Sequence, residues 1–485
     1  MTQTQQLYID GAWTQAACGE LFEDLTPATQ TVFARVAAGA AQDVTQAIEA
    51  AHAARLSWRE TPAAQRARFL LKAADLLEEK QPQWANTLIE ESGSVFRKAM
   101  FEVGASAGVL REAAAQTSRV AGDILPSNVP GKLNMVLRQP VGVVGVISPW
   151  NVPLLLSLRG FAYAMAYGNT IVLKPSEETP VSGGTMIAQV FDEVGLPAGV
   201  LNVVPCPRKN VEEVGNVLIT HPHVRRISFT GSTSTGRKLA ELAGRHLKKI
   251  VLELGGKDPL IVLEDANLDY AVDAAAFGAF FHQGQVCMAV ERILVQAPIA
   301  EAFAQKLAEK AKSLQIGDPH SPETIIGPII NQQQLDKIKT HTDDALADGA
   351  SALCGAQHEG LFYHPTVLCN VAPTMKVFCE ETFGPIAPVL PVQDVHEAIE
   401  IANNSNYGLS AGIITGDFGK GLEIAEQLES GMVHVNDSSI HDEPHLPFGG
   451  VKDSGLGRQG GMASIEEFTE QRLITVQRKP RHYPF

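Results

Sequence analysis

From about residue 43 to 120, apolar side chains recur every three or four positions, as at Phe69, Leu70, Ala73, Leu76 and Leu77, which predicts amphipathic helices. Thr61-Pro62 supplies an N-cap and a first-turn proline for one of them. The period then changes. Val141 to Ile147 reads as a buried strand, followed by a helix from near Pro153 to Gly168 and a strand over Thr170–Lys174. Thr179-Pro180 opens a helix that Gly195 closes, and further strands are expected at Val200–Val204, Val224–Phe229 and Ile250–Leu252, separated by helices over 211–219 and from Gly231 through Ala243. Strands alternating with helices at this spacing imply parallel strands joined by right-handed crossovers, the doubly wound α/β layout. Such sheets bind ligands at the carboxyl ends of their strands, which is where Lys174, Gly231 and Glu253 fall.

A second α/β series starts after Asp258, with strands at Leu260–Leu263 and Arg292–Val295 and helices at about 267–282 and 298–313, and runs to about 450. The stretches 123–141 and 466–485 fit neither series. Their β-like alternations, such as Leu133–Leu137 and Leu473–Val476, are read as strands that pair across subunits.

A chain of 485 residues can bury more than one core, so two or three domains are expected. The formal charge of −15, with no basic run longer than Arg225-Arg226 or Lys248-Lys249, argues against nucleic acid or an anionic membrane as partner. Six cysteines show neither a disulfide framework nor zinc-ligand spacing. The first residues lack the basic start and apolar run of a secretory signal, and no stretch approaches the roughly 20 apolar residues of a membrane span. A reducing cytoplasm follows as the expected compartment.

The candidate chemistry centres on Cys287, 34 residues after Glu253. A thiolate attacks an aldehyde carbon readily, and release of the resulting thioester needs water activated by a proton acceptor. A free cysteine is more often a small buried hydrophobe, and a lone glutamate a solvated face. Neither reading explains Gly284 beside the Cys and Gly255-Gly256 beside the Glu, residues that let backbone approach a ligand.

Asn151, between Pro149-Trp150 and Val152-Pro153, is either a helix cap or a donor to a developing oxyanion. Phe229-Thr230-Gly231-Ser232 precedes a helix whose N-terminus suits a phosphate, although the same string serves as an ordinary turn. Lys174 and Glu177 offer an ammonium and a carboxylate where a ribose would lie. A carboxylate accepts from both ribose hydroxyls and repels a 2′-phosphate, which prefers NAD to NADP; the alternative is a surface ion pair. Glu381 and Phe383 pair a carboxylate with an aromatic ring at a tight turn.

Taken in order, the proline-flanked Asn151, Lys-Pro-Ser-Glu, Phe-Thr-Gly-Ser, Leu-Glu-Leu-Gly-Gly-Lys, Gly-Gln-x-Cys and Glu-Glu-x-Phe-Gly-Pro resemble the aldehyde dehydrogenase superfamily across essentially the whole chain. The resemblance implies a Rossmann-like cofactor domain (1–122 and 142–252), a catalytic α/β domain (253–452) and a small β oligomerisation and C-terminal segment (123–141 and 453–485), in a homodimer or homotetramer. It makes Cys287 the nucleophile, Glu253 the general base, and Asn151 with the Cys287 backbone N–H the oxyanion hole. Lys174, Glu177, Gly231 and Ser232, with Trp150, Glu381 and Phe383, are implied as NAD contacts, and no step needs a metal.

Two positions depart from many members. Asp258 stands for Asn or Ser, and Gln459 for Glu. Val152, Leu155, Leu156, Arg159, Phe281, Met288, Ile440, His441 and Phe448 are expected to line the aldehyde entrance. Most are apolar, as a hydrophobic or aryl aldehyde requires, and the strings around Cys287 and Asn436 look like the benzaldehyde, vanillin and salicylaldehyde dehydrogenase branch. Arg159, counted two helical turns beyond Asn151, either reaches a ring hydroxyl or carboxylate or pairs with a structural acid. Two rival readings stand beside this one: an aliphatic or semialdehyde dehydrogenase, including a coenzyme A-acylating one, and a non-catalytic protein that retains the fold.

Overall fold

The computed structural model describes residues 3–485. Four helices precede the buried strand Val143–Ile147: α1 (Ala41–Glu60), α2 (Ala63–Glu79), α3 (Gln81–Ser92) and α4 (Phe96–Gln116). Thr61-Pro62 does not open α2 in the expected way. Pro62 is the N-cap and the Thr61 hydroxyl donates back to Ser57 O, because α1 continues to Glu60 and claims Thr61 for its last turn.

Strand Val143–Ile147, α5 (Pro153–Ala166) and strand Thr170–Lys174 form the first crossover. Every residue of Val143–Ile147, Thr170–Lys174 and Leu201–Val203 is buried, as central parallel strands covered by helices on both faces must be. The eight-stranded sheet runs Gly455–Leu456, Lys249–Glu253, Val224–Thr230, Val143–Ile147, Thr170–Lys174, Leu201–Val203, Leu7–Ile9, Ala12–Thr14. Its five inner strands are parallel and its edges antiparallel.

Strand order reverses at Val143–Ile147, whose neighbours are Thr170–Lys174 and Val224–Thr230. A crevice therefore opens at the carboxyl ends of 143–147 and 224–230, between the loops carrying Trp150-Asn151 and Gly231-Ser232. Among the departures from expectation, Val181–Thr185 is a π turn before the helix Met186–Glu193.

The second sheet has seven strands in the order Ser351–Cys354, Thr366–Cys369, Ile386–Val392, Val290–Gln296, Asp258–Val262, Gly412–Ile414, His434–Val435. A third, antiparallel sheet joins Asp123–Leu125, Lys132–Pro140 and Thr469–Gln477, in register from Thr469 opposite Pro140 to Gln477 opposite Lys132. The two odd β stretches thus pair with each other inside one chain. The expected unit 453–485 is also divided: Gly455–Leu456 completes the cofactor-side sheet, and helix Ala463–Phe468 packs on α5.

Candidate active site

Cys287 follows a turn in which His282, Gln283 and Gly284 all have positive φ, at 49°, 57° and 68°. Side chains have to hold so costly a run of backbone. Gln283 Nε2 donates to Pro328 O at 2.9 Å, and Gln285 Oε1 accepts from Ile330 N at 3.0 Å. Gly284 is required here, since a Cβ on it would stand 2.2 Å from Gly384 O. Sequence reasoning noted the glycine and overlooked both buried glutamines.

Asn151 lies in the loop before α5, with its side-chain Nδ2 donating to Gln285 O at 2.9 Å. One amide N–H is thereby fixed and the second is left for another acceptor. Because α5 begins at Pro153, Asn151 is outside the helix, and counting helical turns from it to Arg159 does not apply.

Glu253 ends its strand, 3% exposed, and neither carboxylate oxygen has a hydrogen-bond partner among the described residues. Burial pushes its carboxyl well above the ordinary range, with Arg458 and Arg159 opposing. Burial also raises the Cys287 thiol, reinforced by Asp258, Glu253, Glu381 and Asp442. Asp258, the departure noted above, accepts from Ser410 N at 3.0 Å, and burial drives its own carboxyl well upward. Gln459 donates to Ser228 Oγ at 2.9 Å, a structural contact with the cofactor-side sheet.

Two cavities meet at Cys287, Asn151 and Leu156. The smaller, about 160 Å³, is a cleft bordered by Trp150, Gly231, Ser232, Glu253, Gln334, Lys337, Glu381 and Phe383. Ser232 caps helix Thr233–Arg245, accepting from Thr235 N at 3.3 Å, and its exposed N-terminal turn faces this cleft. Trp150 and Phe383 stand edge to face with centroids 5.4 Å apart. Glu381 accepts from Gly256 N at 3.1 Å, and burial, with Glu291 adding to it, raises its pKa to about 7.

The loop carrying Glu381 is held from behind. Glu291 accepts from Thr382 N and Phe383 N at 2.7 Å each, and pairs with Lys257 at 2.6 Å. Lys174 and Glu177 lie further along the strand ends, 3.4 Å apart, with Arg208 3.8 Å from Glu177. Burial would raise Glu177, but Lys174 and Arg208 outweigh it and hold the carboxyl below its usual range.

The larger cavity, about 780 Å³, collects all nine residues expected at the aldehyde entrance: Val152, Leu155, Leu156, Arg159, Phe281, Met288, Ile440, His441 and Phe448. Sequence reasoning missed Phe101, Ala105 and Val109 of α4, and Phe277 and Phe280. They belong to helices to whose apolar faces sequence reasoning assigned no site role. Periodicity shows that a face is buried but not that a cavity lies against it.

Arg159 is 1% exposed, pairs with Asp442 at 2.7 Å and sits with its guanidinium 4.9 Å from the centre of the Phe448 ring. The acid partner is present, yet Nε and Nη1 bond to no atom of the described residues.

The aldehyde dehydrogenase family model matches residues 13–474. Vanillin dehydrogenase of Pseudomonas sp. (strain HR199 / DSM 7063) is 45% identical over 478 residues, 99% of each chain. Benzaldehyde dehydrogenase [NAD(+)] of Pseudomonas putida is 43% identical, covering 98% of this chain and 96% of its own. The crystal structure of a salicylaldehyde dehydrogenase from Pseudomonas putida G7 complexed with salicylaldehyde superposes with a TM-score of 0.97 at 40% identity, covering 100% of both chains. With the doubly wound sheet, the thiol at a cavity junction and full-length similarity in agreement, this chain belongs to the aldehyde dehydrogenase family.

Proposed function

We propose that this enzyme oxidises aryl aldehydes to carboxylic acids with NAD, using Cys287 as nucleophile, Glu253 as general base and Asn151 with the Cys287 backbone N–H as oxyanion hole. The supporting observation is the position of Cys287 where a large apolar cavity meets a small polar cleft that also carries Glu253. Sγ bonds the carbonyl carbon as the thiol proton passes to solvent water, and charge gathers on the carbonyl oxygen. The free Asn151 N–H stabilises that charge, a type of contact worth about 2.7–4 kcal/mol in the transition state. Glu381, Trp150 and Phe383 would hold NAD at this cleft, where its electron-poor ring would supply the hydride acceptor; loss of hydride from the Cys287 adduct would leave a thioester. Glu253 then takes a proton from water, hydroxide adds to the thioester carbon, and the C–S bond breaks to give carboxylate and thiol.

The groups around the cleft fit a dinucleotide. Glu177, oriented by Lys174, suits two ribose hydroxyls, Gly231 and Ser232 open a helix N-terminus for phosphate, and Glu381 with Trp150 and Phe383 suits the second ribose and the ring. NAD is favoured because a 2′-phosphate would meet Glu177, although Arg208 beside it weakens the exclusion. Arg159 offers Nε and Nη1 to an oxygen substituent on the substrate ring, which favours hydroxylated over plain benzaldehydes. A coenzyme A-acylating role is disfavoured, since Glu253 would divert its thioester to water.

Exposed Ile124, Leu125, Leu473 and Val476 on the antiparallel sheet support a homo-oligomer, dimer or tetramer. The described helices include none long and apolar enough to cross a membrane. Its six free cysteines suit a reducing cytoplasm.

The test is NADH formation across aryl and aliphatic aldehydes, ranked by kcat/KM, with products analysed with and without coenzyme A. Aryl aldehydes ranking first, with free acid as product, is the expected result. Cys287→Ala should lower the rate at least about 10⁴-fold; undiminished turnover would sink the assignment.

A further inference from the structure

α5 begins without a side-chain cap of its own, because Val152 stands at the N-cap and Pro153 follows. Its first free N–H groups are satisfied from another helix. Glu102 of α4 accepts from Leu154 N at 2.9 Å and Leu155 N at 3.3 Å through Oε1. Its other oxygen pairs with Lys98 Nζ at 2.5 Å, one turn earlier on the same helix. Lys98 Nζ donates further to Asn151 O at 2.9 Å and to Ser94 Oγ at 2.8 Å.

Both charged side chains are at most 1% exposed. Burying a full ion pair seldom adds net stability, since desolvation offsets the attraction, so its presence here calls for a role in geometry. All three Lys98 protons and both Glu102 oxygens are used, and apart from Ser94, just ahead of α4, every contact outside that helix falls on residues 151–155. Asn151 is therefore held at both ends, its carbonyl by Lys98 and its side-chain amide by Gln285 O.

We propose that Lys98 and Glu102 are positioning residues for the oxyanion hole, a buried ion pair on α4 that fixes the Asn151 backbone and the start of α5 so that the free amide N–H meets the developing oxyanion. The reasoning rests on Asn151 being the oxyanion donor. It extends that reading to a buried pair on α4 that acts through Asn151. Catalytic donors lose effect steeply with displacement, and removal of one costs about 10²–10³ in kcat. Loosening Asn151 should therefore act on kcat while leaving ground-state aldehyde binding nearly unchanged.

The test is a double-mutant cycle of Lys98→Met with Asn151→Ala, read as the single-turnover rate of NADH formation and as KM for benzaldehyde. In the otherwise native enzyme, Lys98→Met should slow single turnover by about 10- to 100-fold with KM changed less than about threefold. In the Asn151→Ala background the same change should cost less than about threefold, because the group it positions is gone. Equal losses in both backgrounds would mean a general structural role and overturn the proposal. Asn151→Ala leaving the rate intact would instead overturn the oxyanion assignment on which it stands.

If Lys98→Met does not fold, Glu102→Gln replaces it in the cycle. That variant keeps an oxygen for the α5 N–H groups and removes the charge that holds Lys98, and the same non-additivity is required. Lys98→Arg, keeping charge and donors, should recover part of the rate, and no recovery beyond Lys98→Met counts against the proposal.

Discussion

The two cavities that share Cys287 are built on opposite principles. The larger is walled by Phe, Leu, Val and Ala side chains from α4, α5 and the helix Leu268–Phe280, with Met288 beside them and one buried guanidinium inside it. The smaller is walled by loops at strand ends and by the carboxylates Glu253 and Glu381. One selects by shape and exclusion of water, the other by charge and hydrogen bonds. A thiol placed between them has one face toward the apolar cavity and one toward the polar cleft that carries Glu253.

The contrast extends to how each is held rigid. Helix packing supports the apolar side, where Leu154, Leu158 and Phe161 of α5 are 0–1% exposed and each contributes about 1.5–3 kcal/mol of burial. The polar side depends on buried ion pairs behind its loops, such as Lys257 with Glu291 under the Glu381–Phe383 turn. Damage to the first should alter which aldehydes are taken, and damage to the second should alter turnover and cofactor use.

The largest separation is expected from Glu253→Gln. Loss of the base should lower steady-state turnover about 10²- to 10⁴-fold while a first burst of NADH persists, because hydride leaves before water is needed. Rapid-mixing absorbance at the NADH band checks this, and a burst lost in proportion to turnover would place Glu253 in the first step instead. The raised Glu253 carboxyl also fixes a sign: the working form is the carboxylate, so thioester release should speed up as pH rises through its folded pKa.

Arg159→Ala sharpens the other side. It should cost hydroxylated benzaldehydes about tenfold more in kcat/KM than benzaldehyde itself, the size of one hydrogen bond to a charged donor. Equal losses would mean that Arg159 serves only Asp442 and Phe448.

The smallest effect concerns Glu381, whose carboxyl titrates near about 7. As the carboxylate is the better acceptor for ribose hydroxyls, KM for NAD should fall severalfold between pH 6 and 8, within about the tenfold that one unit of pKa allows. Glu381→Gln should flatten that profile. A native profile already flat would remove Glu381 from cofactor binding.

Much of this was legible in the chain. Continuous apolar runs at Val143–Ile147 and Thr170–Lys174 marked the parallel sheet, and the chemistry-bearing residues followed strand ends, because a doubly wound sheet leaves its ligand site there. The nine cavity residues came from aligning the chain's motifs with the family they resemble. Lys98 and Glu102 did not. They lie within a helical repeat that reads as packing, and only the crossing of α4 over the start of α5 gives them partners 52 or 53 positions away. The paired sheet of 132–140 with 469–477 was likewise hidden, since alternation reveals a strand without naming its partner.

Sequence alone determined the order of elements, the residue types able to attack a carbonyl and accept a proton, and the apolar character of one side of the site. These depend on local periodicity and on the chemistry of single side chains. Tertiary structure decided which face of Cys287 meets which cavity, that Arg159 keeps two donors free while holding Asp442, and that buried charges on α4 brace Asn151. Such facts arise from contacts between segments far apart in the chain, where angles and distances of a few tenths of an ångström are set by packing.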